Sequence, residues 1–182
     1  MKFALFLTLS LPWLVVESVY AASYGRREAG DVVSVNGKPA ICVPSNAKGV
    51  FAVSRVSLTE SYTRNPPTWG ASLLPGFKPL ELSPGACIVL GTVPEGYEYD
   101  NYKIKARPLL LEVNQTYIFS LRNAYRSTDS YDAVFCVNKT ATGVMEYLQY
   151  TRLADGSQII PSCGGNRNTD PSSQDGTGDV DK

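Results

Sequence analysis

Apolar and polar side chains alternate most cleanly over residues 116–122. Tyr117, Phe119 and Leu121 fall on one side of an extended backbone, and Thr116, Ile118, Ser120 and Arg122 on the other. A period of two predicts a β-strand, because successive side chains leave opposite faces of the pleat. The apolar run 109–111 predicts a second short strand just before it, with a tight corner at Val113, Asn114 and Gln115. A Tyr entering a strand after such a corner can return its hydroxyl to the corner backbone, the tyrosine corner of immunoglobulin-like sandwiches. An ordinary hairpin with a half-buried Tyr117 is the plainer alternative.

The same pattern recurs along the chain. Residues 31–35 predict a strand, Asn36-Gly37 a two-residue hairpin turn, and 39–43 the returning strand, closed by Pro44. Over 50–58, Val50, Ala52, Ser54, Val56 and Leu58 alternate with Phe51, Val53, Arg55 and Ser57. Both sets are partly apolar, which predicts a central strand. Residues 60–79 carry Pro66, Pro67, Pro75 and Pro79, too many for a helix or a long central strand. The preferred reading is a Greek-key crossover packed by Trp69 rather than an ordered functional loop. Pro84-Gly85 marks a turn into a strand at 86–92, 94–102 reads as a Tyr-rich loop, and 103–107 alternates weakly. Residues 133–137 and 144–151 predict a closing hairpin through Thr142-Gly143, followed by a turn at Asp155-Gly156. No stretch holds a clean helical stripe. The expected fold is all-β, an antiparallel, immunoglobulin-like β-sandwich of about eight or nine short strands.

The ends of the chain read differently. Lys2 followed by the apolar run 3–16, with Val19 and Ala21 at the −3 and −1 positions, predicts a signal peptide over 1–21. The run is shorter than the roughly 20 apolar residues of a bilayer-spanning helix. Residues 22–30 are expected to form a flexible leader, 31–163 a single domain, and the polar 164–182 a disordered tail. The expected location is therefore periplasmic and soluble, with no membrane insertion after cleavage.

Composition narrows the chemistry. The 182 residues hold 17 Lys+Arg and 17 Asp+Glu, a formal charge of zero, which gives no basic stripe for nucleic acid. The chain has no His, so neither a Ser-His-Asp nor a Cys-His site can form, and no His-ligated metal site. Four Cys behind an export signal predict two disulfides among Cys42, Cys87, Cys136 and Cys163, with three pairings open. The apolar neighbours of the first three predict buried strand positions. A bridge from Cys163 would pin the domain's end, worth about 3–4 kcal/mol.

Few residues invite a chemical reading. Glu95, Glu98 and Asp100 could hold a metal or act as a carboxylate pair, but their spacing matches no ordered metal loop. They are read as a solvated loop, and no catalytic, metal or cofactor site is expected. The Asn114 and Asn138 sequons are short enough to arise by chance. The aromatic loops are the better lead. Tyr97, Tyr99 and Tyr102 share one loop, and Tyr125 and Tyr131 flank another beside Arg122 and Arg126. Tyr and Arg are the usual anchors of protein interfaces, so these seven are the expected partner-binding residues. The competing reading is that the rings cap the core.

Four motifs carry a resemblance: Val-Asn-Gly-Lys-Pro-Ala-Ile-Cys-Val-Pro at 35–44, Leu-Ser-Pro-Gly-Ala-Cys-Ile at 82–88, Leu-Glu-Val-Asn-Gln-Thr-Tyr-Ile-Phe-Ser-Leu-Arg at 111–122 and Ala-Val-Phe-Cys-Val at 133–137. Together they span roughly residues 32–150 and resemble a group of small enterobacterial periplasmic proteins described as type VI secretion immunity proteins, many of them lipoproteins. This sequence departs from the group by lacking a lipid-acceptor Cys at the expected mature N-terminus. The resemblance implies a protein that binds and neutralises a cognate toxin effector without catalysis, and it carries over no active-site residues. A structural or adhesive envelope module is the alternative from another class, and a hydrolase using carboxylates alone is the third.

Overall fold

Tyr117, Phe119 and Leu121 are fully buried, whereas Ile118 and Arg122 on the other side face solvent, so the alternation over 117–122 is realised as a strand with one wet face, and only Thr116 at its start is buried on that side. Each buried side chain of this kind contributes about 1.5–3 kcal/mol. The computed structural model describes residues 25–100, 108–153, 157–159 and 163. Among them the chain forms β1 (Arg27–Ala29), β2 (Asp31–Val35), β3 (Lys38–Cys42), β4 (Phe51–Glu60), β5 (Thr68–Leu73), β6 (Leu80–Leu82), β7 (Cys87–Val89), β8 (Tyr97–Tyr99), β9 (Thr116–Asn123), β10 (Ser130–Lys139), β11 (Met145–Gln149), β12 (Thr151–Arg152) and β13 (Gln158–Ile159). None of the described residues is helical. The expected signal peptide, the weak alternation at 103–107, the turn at Asp155-Gly156 and the polar tail lie outside the described residues.

The architecture is an all-β sandwich of two unequal sheets. The larger runs β1-β10-β9-β4-β5-β8, with β11 also on β10 and β6 also on β4. The smaller is β2-β3-β7, and β12 and β13 form a separate pair. Ile41, Val43 and Ile88 of the smaller layer meet Val56, Phe119 and Phe135 of the larger in one apolar core. The strand count exceeds the sequence expectation because several strands are only two or three residues long, too short to show a period.

The expected hairpins at Asn36-Gly37 and Thr142-Gly143 are both present. Asn36 and Gly37 have φ of 51° and 76°, the left-handed pair that a two-residue turn between twisted strands requires. At the corner before β9, Tyr117 Oη donates to Leu110 O (3.1 Å) and accepts from Glu112 N (2.8 Å), and Asn114 sits at φ 68°. This is a tyrosine corner, not a hairpin. Residues 109–111 are therefore not a strand: the phenol serves the backbone polar groups that a ladder would have paired.

Three further expectations are corrected. In β4, Val53 lies opposite Asn123 but Arg55 opposite Arg122, which leaves Ser54 as an extra, bulged residue. The bulge shifts the phase by one, so Val53 joins Val56 and Leu58 in the core, and Val50 stays 57% exposed. Residues 60–79 are not a crossover. Thr68–Leu73 pairs antiparallel with β4 as a hairpin, because the prolines fall before and after the strand. Trp69 packs edge-on against Phe119, with centroids 6.2 Å apart. Finally, the leader is not wholly flexible. Its residues 27–29 form β1, which pairs parallel with β10, the one parallel pairing among the described strands.

The two disulfides join Cys42 to Cys87, directly opposite each other on β3 and β7, and Cys136 to Cys163. Cys42 and Cys136 are buried as expected, whereas Cys87 on the outer strand is exposed. Two bridges fit an oxidising, extracellular-type environment. Among the described residues no helix is long and apolar enough to cross a membrane.

Candidate protein-binding groove

One end of the sandwich gathers three pieces of chain: β1, the 44–50 connection after β3, and the 124–129 connection between β9 and β10. The chain just before β1 is tied to the end of the 124–129 connection. Arg26 N donates to Asp129 Oδ1 (2.9 Å), and Ser130 N donates to Arg26 O (2.9 Å). Gly25 lies so close to Thr128 that an added Cβ would meet the Thr128 carbonyl oxygen at 2.1 Å, so only glycine fits.

The 124–129 connection is also held from within. Asn123 Oδ1 accepts from the N–H groups of Tyr125 (2.8 Å) and Arg126 (3.0 Å), as an Asx-type turn does. Asp129 N donates to Arg126 O (2.8 Å), and Ala124 N donates to Ala52 O (2.8 Å). These bonds satisfy several of the connection's backbone polar groups within the chain itself.

Two adjoining depressions of about 440 and 240 Å³ lie between these segments and share Arg26, Glu28, Lys48 and Tyr131. The smaller also takes in Val50, Tyr125 and Arg126. The Arg26 guanidinium sits 2.5 Å from the Glu28 carboxylate, which raises its pKa further above an already basic value. Burial pushes the Tyr131 phenol above its ordinary value, and its hydrogen bond to the Glu28 carboxylate pushes it the same way. Glu28 and Asp129 are thus both engaged. Lys48 and Arg126 are exposed, and neither has a carboxylate within ion-pair distance among the described residues. Tyr125 is 73% exposed.

The structure brings only part of the expected binding set together. Tyr125, Arg126 and Tyr131 share the groove. Tyr131 forms its floor rather than an anchor, because it is 7% exposed and packs edge-on against Phe51 at 4.8 Å. Tyr97 is corrected outright to a core residue. It is 7% exposed, with its hydroxyl donating to Val53 O (2.5 Å) and accepting from Leu80 N (2.9 Å), which clamps β6 to β4. Tyr99 is 58% exposed on the outer strand β8, away from the groove, with its hydroxyl 3.3 Å from Gly91 O. Arg122 lies on the outer face of the larger sheet opposite Arg55. Tyr102 lies outside the described residues.

Sequence reasoning missed Arg26, Glu28 and Lys48. The first two sat in the expected leader and the third in a connection. Only their charge marked them, and nothing local told that β1 would dock beside β10.

The acidic loop divides in the same way. Glu95 and Glu98 are exposed, whereas Asp100 is bound to Arg55 (2.8 Å) and to the Ser72 hydroxyl. Among the described residues no cluster of three or more His, Cys, Asp or Glu could hold a metal ion. The groove thus combines an exposed aromatic ring, two cations with no carboxylate within ion-pair distance among the described residues, and a concave floor. Compared with protein-family models, curated proteins and solved structures, the chain finds no match.

Proposed function

We propose that this chain is an exported, periplasmic immunity protein that binds a cognate antibacterial toxin effector and neutralises it by occlusion, without catalysing a reaction itself. The observation that carries this reading is Tyr125. A 73% exposed aromatic ring stands on a loop whose backbone is already fixed by Asn123. Association then costs little ordering entropy, and a rigid amphipathic ring is the usual centre of an interface. The paired Cys support an exported location. The missing His removes the commonest hydrolytic sites. The motif resemblance around Cys42, Cys87 and Cys136 supplies the class of partner.

Deleting the gene and growing the strain beside its toxin-delivering siblings tests the reading. The deletion strain is expected to lose viability, and expression of the exported protein is expected to restore it. A deletion strain that survives such neighbours as well as its parent would overturn the reading. If the tagged protein then recovers mainly its own copies or envelope polymers, the structural-module reading takes its place.

A further inference from the structure

Two of the chain segments that line the smaller depression carry the same pair of chemistries. On one, Lys48 and Val50 stand two residues apart; on the other, Tyr125 and Arg126 are adjacent. Each segment therefore pairs a cation with an exposed apolar group, Val50 at 57% and Tyr125 at 73% exposure. The groove's own carboxylates do not answer these cations. Glu28 is held by Arg26 and Tyr131, and Asp129 by the Arg26 backbone. Two exposed cations and two exposed apolar groups lining one depression match a ligand that carries both acidic and apolar side chains.

We infer that the groove takes an acidic segment of a partner protein, in which an apolar side chain lies between Val50 and Tyr125 and flanking carboxylates engage Lys48 and Arg126. This rests on the protein-binding reading above and specifies the chemistry of the partner. The arrangement favours a protein segment over an anionic membrane. The cations line a concavity rather than a broad basic surface, and the chain as a whole is formally neutral. Charge complementarity of this kind mainly sets specificity and encounter rate, so binding weakens as salt rises.

The test is an amide-shift titration of the full mature chain by NMR with three synthetic peptides on one Gly/Ser frame. Their centres read Asp-Phe-Glu, Asn-Phe-Gln and Asp-Ser-Glu. The first is expected to move amides at 26–29, 46–50 and 124–131, and to bind about tenfold more tightly than either of the others. Lys48→Glu with Arg126→Glu is expected to weaken it at least about tenfold. Lys78→Glu with Lys139→Glu, the same charge change elsewhere, is expected to leave it unchanged. An unaltered thermal melt excludes misfolding, and Lys48→Ala with Arg126→Ala replaces the reversal should that variant melt early.

Equal binding of the neutral peptide, shifts confined to another surface, or no shift at about 5 mM peptide overturns the inference. So does tighter, groove-dependent binding to vesicles containing phosphatidylglycerol. The coculture assay separates this from failure of the function itself. If deletion sensitises cells and the reversed variant still protects, the groove assignment falls and the immunity reading stands. If the acidic peptide binds in the groove but deletion has no effect, the groove stands and the immunity reading falls.

Discussion

Single hydroxyl and N–H groups decide several joints of this fold. Tyr117 is the clearest, because one phenol serves both Leu110 O and Glu112 N at the entry to β9. Tyr117→Phe keeps the packing against Phe135 but leaves both backbone groups without that partner. The expected loss is about 1–3 kcal/mol, read as a lower urea midpoint with an unchanged slope. Trp69 makes the opposite case. Its Nε1 is buried with no hydrogen-bond partner among the described residues. Trp69→Phe removes that orphan donor and keeps an aromatic edge near Phe119, so stability is expected to stay within about 1 kcal/mol of the parent. Trp69→Ala, which opens a cavity instead, is expected to cost about 3–5 kcal/mol. Denaturant titration of the two variants side by side distinguishes polarity from packing. A Trp69→Phe loss as large as that of Trp69→Ala would show that the indole is held by a contact the free N–H conceals.

At the scale of elements, the two sheets are stitched by a side chain that imitates a strand. Gln149, at the end of β11, accepts from Val32 N (2.7 Å) and donates to Gly30 O (2.7 Å), as a peptide group would. Gln149→Ala is expected to destabilise by about 2 kcal/mol and to speed hydrogen exchange at Val32. Gln149→Glu can still accept but cannot donate, and its charge would face the Gly30 carbonyl, so it is expected to be at least as damaging. Elements of this length also explain which parts of the fold were legible in the sequence. The Asn36-Gly37 hairpin, β9 and the Thr142-Gly143 hairpin were readable because turn chemistry and a period of two act over neighbours. The Ser54 bulge was not, since one inserted residue changes phase without any local signature, and the same apolar set fits either phase. β1 is three residues long and gains its identity only from β10. The groove followed suit: Tyr125 and Arg126 were readable as a pair in one connection, whereas Arg26 and Lys48 reach it through tertiary docking. Tyr97 misled because a Tyr in a polar loop reads the same whether its ring points out or, as here, plugs the gap between β4 and β6.

At the scale of the molecule, cross-links and buried phenols set the conditions under which the sandwich persists. Cys42–Cys87 spans 45 residues and Cys136–Cys163 spans 27. By loop entropy the two are worth about 4 and 3.5 kcal/mol. Paired Cys→Ser replacement of either bridge is therefore expected to lower the melting temperature by at least about 5 °C. The pH dependence follows from a different set of groups. With no His in the chain, no imidazole titrates between pH 5 and 8. The buried phenols act at the alkaline end. Burial raises Tyr97, Tyr117, Tyr131 and Tyr147 above their ordinary value of 10.0, because desolvation penalises the phenolate. The folded state therefore holds these protons more tightly than the unfolded chain. Their contribution is complete below the unfolded value and is lost as pH rises through the folded values. Between the two, the unfolded state has released a proton that the native state retains, so stability falls by up to about 1.4 kcal/mol per pH unit for each tyrosine. Thermal melts from pH 7 to 11.5 are expected to stay level to about pH 9.5 and then drop steeply, together with the rise of phenolate absorbance. Tyr147→Phe removes one of the titrating groups along with its bond to Gly37 O. That variant is expected to melt earlier at neutral pH yet lose less between pH 10 and 11.5, a crossing of slopes that a purely structural role for the hydroxyl would not produce.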